Sequence, residues 1–492
     1  MADVPRLMST QHPDNATLPF FASADVIEGE DEIQEAYYVS SHLGCDEGMW
    51  DFEGKEGDEY AVKKLLSRYD EYFRSTRLGE EFRLTVRGPN PDLEVSEAKI
   101  LLEILESIPR SYDAAEAYAD EYGLETVAPI HEVIVPMVTD ADQINAVHEY
   151  YESFVAGKGD LELWNGRTVG EWVGHFRPAE INVIPLIEER EAMLRADEIV
   201  REYAEAQSRD AVRVFLARSD PALNYGSLSA DLINKVALQR LYRVAEEIDI
   251  EVHPILGAGS APFRGNLTPH RAAETAAAYP AVETFTIQSA FKYDYPVETV
   301  REGLRTLRNA ECGTAPEGID ADRALELIDR LAAAYAEQVD SIAPTVNRLS
   351  TYVPDRRARK LHVGLFGYSR EVGENQLPRA IGYTAALYSV GCPPTLLGMY
   401  VLSEDDLEFI EQAFPAFFDH LRDAATYYNP RCTDVLSLDR AELESATDPV
   451  DVDRNDVHLE ATDDAIDAFQ AGDESTLRSA VRRAARERQF LG

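Results

Sequence analysis

The sequence has few cysteines and no long hydrophobic run. Its 492 residues include four cysteines, none in a CxxC pair, which disfavours both a disulfide framework and a structural zinc site. No apolar stretch approaches the roughly 18 residues that a membrane helix needs. No basic segment followed by an apolar stretch opens the chain, as it would in a secretory signal. These absences predict a reduced cytoplasmic protein that has no membrane partner.

Basic residues are also scarce. Acidic residues outnumber basic ones 90 to 47, for a formal net charge of −43, and only eight residues are lysines. Such a charge repels phosphates, so nucleic acid is disfavoured as a partner. A solubilising surface without a partner is one interpretation. We favour adaptation to high salt. The Debye length shortens to about 3 Å at 1 M salt, so the repulsion between acidic side chains of the surface is then tolerated.

Strand-like and helix-like segments alternate through the first 290 residues. Runs rich in Val, Ile, Thr and Phe lie at 35–43, 81–88, 131–138, 181–188, 211–220, 250–259 and 283–291. Amphipathic stretches such as 95–108, 141–155 and 228–248 lie between them. The alternation predicts βαβ units, and near-continuous apolar runs are typical of strands buried on both faces.

The opening stretch around Met8–Gln11, counted as a short first strand, brings the number of runs to eight. Eight units predict an α/β fold, a TIM (β/α)8 barrel over residues 1–295. We expect residues 296–492 to form a mainly helical layer packed on the barrel, in one structural unit with it. The acidic stretch 447–464 is predicted to connect its last two helices. A doubly wound open sheet is the alternative, but no GxGxxG or GxxxxGK[ST] loop follows the early runs.

Two carboxylates follow neighbouring strands, where a barrel carries its chemistry. Glu188 ends one run and Asp220 ends the next. Adjacent strands lie about 4.8 Å apart, so both side chains can reach one Mg²⁺ or Mn²⁺ ion, with waters and a substrate oxygen completing its shell. Asp220 alone could equally be a helix cap or a turn residue before Pro221. The pairing with Glu188 favours the metal.

A glycine-rich turn and several basic residues predict an anion site. The turn "GAGSAPFRGN", 257–266, offers the amides of Gly257 and Gly259 to a phosphate, and Arg264 adds a bidentate donor. Further basic residues near strand ends or in the segment 365–383 are Arg87, Arg218, Lys292, Arg370 and Arg379. Each alone could be an ordinary ion-pair residue. Together they predict a site for a small, multiply charged anion.

A histidine lies close to the start of the chain, in "MSTQHPDN", residues 8–15. A histidine with a pKa near neutrality can act as a general acid or base. His12 could instead be a turn residue whose ring nitrogens are hydrogen-bonded within the protein, with Asp14 capping a helix. Its position at the end of the possible first strand favours the catalytic interpretation.

Six motifs together resemble archaeal-type phosphoenolpyruvate carboxylases, and the acidic surface resembles haloarchaeal members. The motifs are "MSTQHPDN", "MWDFEGK" (49–55), "ARSDPALNYG" (217–226), "GAGSAPFRGN", "TIQSAFKYD" (286–294) and "LPRAIGYTAALYSVGCPPTLLG" (377–398). The resemblance implies a TIM barrel with extra helices, a homotetramer and Mg²⁺ or Mn²⁺. It also implies that phosphoenolpyruvate and bicarbonate give oxaloacetate and phosphate through carboxyphosphate and pyruvate enolate.

The resemblance also implies a role for particular residues. His12 matches the family's catalytic histidine, Glu188 and Asp220 match metal-ligand positions, and Arg264 and Arg379 match catalytic arginines. Arg87 resembles a substrate-binding arginine.

Two positions depart from the pattern of bacterial-type relatives. Ala258 and Gly391 stand where those relatives carry arginines, and Arg218 or Arg370 are candidates to replace them. Two other functions use the same residue types. One is a different metal-dependent barrel lyase acting on pyruvate or phosphoenolpyruvate without bicarbonate, and the other is a non-catalytic sensor of such an anion.

Overall fold

A computed structural model describes residues 4–53, 55, 57–316, 318–358, 371–372 and 375–492. Eight parallel strands form a closed barrel in sequence order, with β1 hydrogen-bonded to both β2 and β8. The strands are β1 Leu7–Ser9, β2 Glu47–Asp51, β3 Arg83–Arg87, β4 Glu132–Val135, β5 Asn182–Ile187, β6 Ala211–Ala217, β7 Glu251–Gly257 and β8 Thr284–Ile287. A separate antiparallel pair joins β9 Glu371–Val372 to β10 Asn375–Gln376. The predicted barrel is confirmed.

Helices connect the strands and continue beyond the barrel. Up to β8 they are α1 Glu30–Tyr38, α2 Ala61–Arg68, α3 Asp70–Phe73, α4 Ala98–Tyr122, α5 Ala141–Tyr150, α6 Val169–Val173, α7 Arg190–Met193, α8 Ala196–Gln207, α9 Ser219–Tyr225, α10 Ser227–Ile248 and α11 Ala272–Ala278. After β8 they are α12 Ser289–Tyr293, α13 Val297–Asn309, α14 Ala321–Ser350, α15 Ala380–Ser389, α16 Glu404–Ala413, α17 Ala416–Ala425, α18 Arg440–Ser445, α19 Asp456–Ala471 and α20 Glu474–Arg488. The predicted helical C-terminal region is therefore present.

The barrel interior is layered, because successive residues of a strand point to opposite faces. Its middle layer is an apolar cluster that includes Met49, Leu186 and Phe215. Two residues earlier on β2 and β6, a buried polar layer begins. There the Arg213 guanidinium donates to Glu47 at 2.8 and 2.9 Å and to Glu132 at 2.6 Å. Two residues beyond Leu186, and just after β5, the same alternation brings Glu188 to the carboxyl end of the barrel.

One extended apolar core holds residues from Leu7 to Ile466, so the barrel and the helices after it share packing. The division at residue 295 stays a prediction. All four cysteines are free thiols, and three of them are buried. Among the residues that the structure describes, no helix has the length and apolar character needed to cross a membrane.

Two predictions about local structure are wrong. The run 35–43 is helical, since α1 continues into a π-helical turn at Val39–Leu43, and the second strand is Glu47–Asp51 instead. The predicted connection 447–464 contains the start of α19, which packs along α20. Its Asn455 side chain caps α19 by accepting from the His458 amide at 2.8 Å.

Candidate active site

A pocket opens at the carboxyl ends of the barrel strands and is closed on one side by the start of α15. Its lining combines a histidine, arginines, carboxylates and a small apolar surface. The lining residues are His12, Glu53, Arg87, Leu186, Glu188, Phe215, Ala217, Arg218, Ser219, Asp220, Gly257, Arg264, Gln288, Arg379, Ala380 and Ile381. Four arginines face three acidic side chains in a chain whose net charge is −43. The pocket therefore suits an anion far better than the rest of the protein does.

His12 lies just after β1 and is held by its own segment. Its Nδ1 lies 2.9 Å from the Thr10 hydroxyl, and its carbonyl accepts from the Asp14 and Ser289 amides. Burial, then the nearby Arg87 and Arg264 guanidinium groups, lower the pKa of His12 well below its ordinary value. The imidazole is therefore neutral near pH 7. When Nδ1 donates to Thr10, Nε2 presents a lone pair and can accept a proton.

Buried ionic contacts fix the segment around His12. The Lys292 ammonium donates to the Ser9 hydroxyl at 3.0 Å and to the Thr10 carbonyl at 2.8 Å, and pairs with Glu35 at 3.0 Å. The Asp14 carboxylate accepts from the Ala290 amide at 2.7 Å. Lys292 does not line the pocket. Its contacts support positioning of the histidine segment rather than contact with a ligand.

Arg264 joins the histidine segment to the glycine-rich turn. Its guanidinium donates to Gln288 at 2.7 Å, Ser219 at 3.0 Å and the Gly492 carbonyl at 2.8 Å, and lies 3.3 Å from the Asp14 carboxylate. It is almost fully buried. A charged group in so fixed a place is preorganised to meet negative charge that develops in the pocket.

The glycines of the turn permit close packing. A Cβ on Gly259 would lie 2.8 Å from Arg264 Nη1, and one on Gly257 would lie 2.9 Å from the Phe215 ring. The amide of Gly259 donates to the Arg264 carbonyl at 2.8 Å. In this conformation that amide is therefore committed to the turn and does not cradle a phosphate. Gly257 lines the pocket, as expected for a residue at the end of β7.

Arg87 projects from the end of β3 into a cluster of carboxylates. It forms a bidentate pair with Asp51 at 2.8 and 2.9 Å and approaches Glu53 at 3.1 Å. Against the cost of burial, Arg87 and Lys55 hold the pKa of Asp51 at about 2. Burial and the nearby Glu53 raise the pKa of Glu94 to about 7. Arg87 thus lies among carboxylates, and the nearby Glu94 carboxyl titrates near neutrality.

Glu188 and Asp220 both line the pocket, as expected for carboxylates after β5 and β6. Glu188 Oε2 accepts from the Met137 amide at 3.0 Å, and Met137 has a left-handed backbone with a φ of 53°. Asp220 lies in the first turn of α9. Two hard carboxylate donors suit Mg²⁺ or Mn²⁺, which commonly takes one or two carboxylates and fills its shell with water and substrate oxygens. Three or more candidate ligands do not cluster anywhere in the described part of the chain.

Of the remaining predicted arginines, Arg218 and Arg379 line the pocket, but their surroundings differ. Arg218 lines the pocket but is fully buried, with its donors directed to Asp231 at 2.6 and 2.8 Å, to Ser227 at 2.9 Å and to the Phe263 carbonyl at 3.0 Å. Through the Phe263 carbonyl, Arg218 stabilises the glycine-rich turn. Arg379 lines the pocket immediately before α15. Arg370 lies outside the described residues. Gly391 does not line the pocket.

Three polar side chains of the pocket, Glu53, Ser219 and Gln288, were missing from the sequence prediction. Gln288 and Ser219 come one or two positions after β8 and β6, so the strand-end rule that found Glu188 would also have found them. Glu53 lies in the motif "MWDFEGK", but the misplaced second strand hid its position at a strand end.

The fold and this pocket define a barrel enzyme that acts on a small anion at the carboxyl ends of its strands. A family model described as phosphoenolpyruvate carboxylase matches residues 4–492. The chain belongs to the phosphoenolpyruvate carboxylase family.

The chain is similar to curated enzymes along its whole length and to solved structures along part of it. The phosphoenolpyruvate carboxylase of Halobacterium salinarum is 76% identical over 492 residues, covering 100% of both chains. That of Methanothermobacter thermautotrophicus is 50% identical over 489 residues, covering 99% of this chain and 100% of its own. A citrate lyase structure from Burkholderia xenovorans, 12% identical, aligns with a TM-score of 0.36 over 68% of this chain and 84% of its own.

Proposed function

We propose that this chain carboxylates phosphoenolpyruvate with bicarbonate, giving oxaloacetate and phosphate. The observation that carries the proposal is the pocket itself. A neutral histidine, Glu188, Asp220 and four arginines converge there in a chain that is otherwise strongly acidic. The relatives named phosphoenolpyruvate carboxylase match the chain along its full length, which supports the same reaction.

Three arginines are proposed to bind the substrate's charges. Arg264, preorganised by Gln288 and Ser219, meets the phosphoryl oxygens. Arg87 and Arg379 lie at other parts of the lining and meet the remaining phosphoryl oxygens and the carboxylate. Arg218 and Lys292 are proposed to position the glycine-rich turn and the His12 segment, because Arg218 donates to the Phe263 carbonyl within the turn and Lys292 donates to the Thr10 carbonyl beside His12.

Glu188 and Asp220 would hold a divalent cation, Mg²⁺ or Mn²⁺. When bound, such an ion supplies positive charge against the phosphoryl group and the enolate oxygen. The Met137 amide orients the Glu188 carboxylate for that task, and the first turn of α9 orients Asp220.

The proposed chemical steps assign a role to each of these groups. An oxygen of bicarbonate attacks phosphorus, the bond from phosphorus to the enol oxygen breaks, and carboxyphosphate and pyruvate enolate form. Nε2 of His12 takes the hydroxyl proton of carboxyphosphate, and the carbon–oxygen bond to phosphate breaks to release CO2. The methylene carbon of the enolate attacks this CO2, forming oxaloacetate. The lowered pKa of His12 keeps the base unprotonated until it is needed.

The enolate must be kept from water, since its protonation would give pyruvate. Ala380 and Ile381, at the start of α15, contribute apolar surface to the pocket opposite the barrel. We assign water exclusion to this helix together with the glycine-rich turn.

Two variants test the proposal. In His12→Asn, oxaloacetate formation falls by about 10²–10⁴-fold, the usual contribution of a general base, while bicarbonate-dependent release of phosphate and pyruvate persists. In Asp220→Asn, activity and affinity for the divalent cation fall together. The exposed His270 provides a matched control, and His270→Asn keeps full activity. Undiminished carboxylation in His12→Asn would rule out this base.

The cellular setting is also part of the proposal. The acidic surface and the identity to a Halobacterium protein support work in a high-salt cytoplasm. The family resemblance supports a homotetramer.

A further inference from the structure

Residues 154–178, here called the arm, stand out from the surface between α5 and β5. Two of the three tryptophans of the chain lie in it. Trp164 is 96% exposed and Trp172 is 61% exposed, whereas Trp50 is 4% exposed in the core. Phe154, Leu161 and Val173, also in the arm, are exposed by 57 to 61%. Exposed apolar surface concentrated in this way marks an interaction site.

The arm is ordered by its own hydrogen bonds. The Val169 amide donates to the Leu161 carbonyl at 2.9 Å, and the Leu163 amide donates to the Arg167 carbonyl at 2.7 Å. This hairpin closes through Gly166, whose φ is 76°, and presents Trp164 at its tip. A capping box between Thr168 and Glu171 then starts α6, which carries Trp172 and Val173. The aromatic side chains are therefore held outward by a folded element.

The charge of the arm differs from that of the whole chain. It contains three basic residues, Lys158, Arg167 and Arg177, and three acidic ones, Asp160, Glu162 and Glu171, so its net charge is zero. The chain as a whole carries −43. Where salt does not screen this charge, two copies of such a chain repel one another over most of their surface. At the arm they can approach without that repulsion, and each copy offers both signs to the other.

The exposed area fits one side of a stable interface. By their exposed fractions, the three aromatic side chains present roughly 500 Å² of surface, before Leu161 and Val173 are added. A standard interface removes about 800 Å² from each partner. Two-fold contacts between identical patches are the commonest way in which soluble chains associate.

We propose that the arm is a self-association surface, buried against the arm of a second copy of this chain. The arm precedes β5, so it lies at the amino-terminal end of the barrel, away from the catalytic pocket. The inference does not depend on the proposed reaction, but it rests on the proposed homotetramer, for which it names one contact surface. An assay of mass therefore tests it even if the carboxylation proposal fails.

The first experiment compares masses by light scattering in high salt. The wild-type chain is expected at a multiple of its 54.9 kDa, and the double variant Trp164→Asp/Trp172→Asp at no more than half the wild-type mass. The matched control is Val95→Asp, which changes a side chain that is 79% exposed outside the arm, and it keeps the wild-type mass. A monomeric wild type, or a double variant of unchanged mass, would overturn the proposal. Circular dichroism checks that the double variant is folded.

A second measurement reports on Trp164 directly. In Trp172→Phe, Trp164 and the buried Trp50 are the remaining tryptophans. Burial against a second copy protects Trp164 from acrylamide, so its fluorescence is expected to be quenched as weakly as that of a buried tryptophan. Quenching at the level of a free tryptophan would contradict a buried arm.

Discussion

The Gly259→Ala variant probes how finely Arg264 must be placed. The new Cβ would lie 2.8 Å from Arg264 Nη1, 2.9 Å from its Cζ and 3.0 Å from Gln288 Oε1. Ordinary contacts between heavy atoms are about 3.5–4.0 Å, so the guanidinium must retreat by roughly 1 Å or lose its bond to Gln288. No left-handed backbone is involved at Gly259. The change is therefore purely steric.

Such a displacement has a calculable consequence. A misplacement of about 1 Å in a positioned group costs about 100-fold in rate, which corresponds to about 2.7 kcal/mol in activation free energy. We expect kcat of Gly259→Ala to fall by that factor. Overpacking at the buried turn also costs about 1–3 kcal/mol in unfolding free energy. The assay is incorporation of labelled bicarbonate into oxaloacetate at saturating phosphoenolpyruvate, in high salt.

Gly382→Ala is the matched control. It adds a methyl group in α15, close to the pocket, where only Pro378 Cβ lies within reach at 3.5 Å. This variant should keep the wild-type rate. A folded Gly259→Ala protein with an unchanged rate would refute the argument that the glycine exists to admit the guanidinium.

Three further predictions follow from buried charges and from net charge. The acidic limb of kcat/KM against pH should lie below pH 6.5, because the pKa of His12 is lowered from that value and the base form persists as pH falls; a limb near pH 7 that vanishes in Glu94→Gln would instead report Glu94. Removing salt should unfold the chain, as self-repulsion at −43 is then unscreened, and retention of its circular dichroism without salt would contradict this. Arg213→Met should lower the free energy of unfolding, measured with urea, by about 3–5 kcal/mol, because Glu47 and Glu132 lose a buried ion-pair partner. A decrease below about 1 kcal/mol would contradict this prediction.

The barrel was predictable because most of its strands carry a strong local signal. Runs such as 181–188 and 211–220 are apolar and β-branched, and the structure places β5 and β6 within them. The strand-end rule then located Glu188, Asp220 and Arg264 at one pocket.

The second strand was missed because its residues are poor strand formers in isolation. Its sequence, "EGMWD", contains two acids and a glycine. Glu47 is tolerated because Arg213 pairs with it inside the barrel. Glycine at position 48 is favoured, because a Cβ there would lie 3.1 Å from the Phe82 ring, which is a tight contact. These are long-range contacts that local propensity does not contain.

The sequence also could not show which basic residues contact the pocket and which only stabilise the surrounding structure. Arg218 and Lys292 carry the same charge as Arg264 and lie at similar positions after strands. Only the folded chain shows that Asp231 and Glu35 are buried beside them and take their donors. The sequence also did not indicate the arm as an interaction surface. Only the structure shows that Trp164 and Trp172 are exposed rather than buried in the core.

Bicarbonate dependence distinguishes carboxylation of phosphoenolpyruvate from the other reactions that this pocket could support. Oxaloacetate formation is followed in high salt with phosphoenolpyruvate and Mg²⁺, with bicarbonate present or removed. We predict oxaloacetate and phosphate in equal amounts when bicarbonate is present, and neither when it is absent. Binding of phosphoenolpyruvate without turnover, or turnover that ignores bicarbonate, would contradict the account.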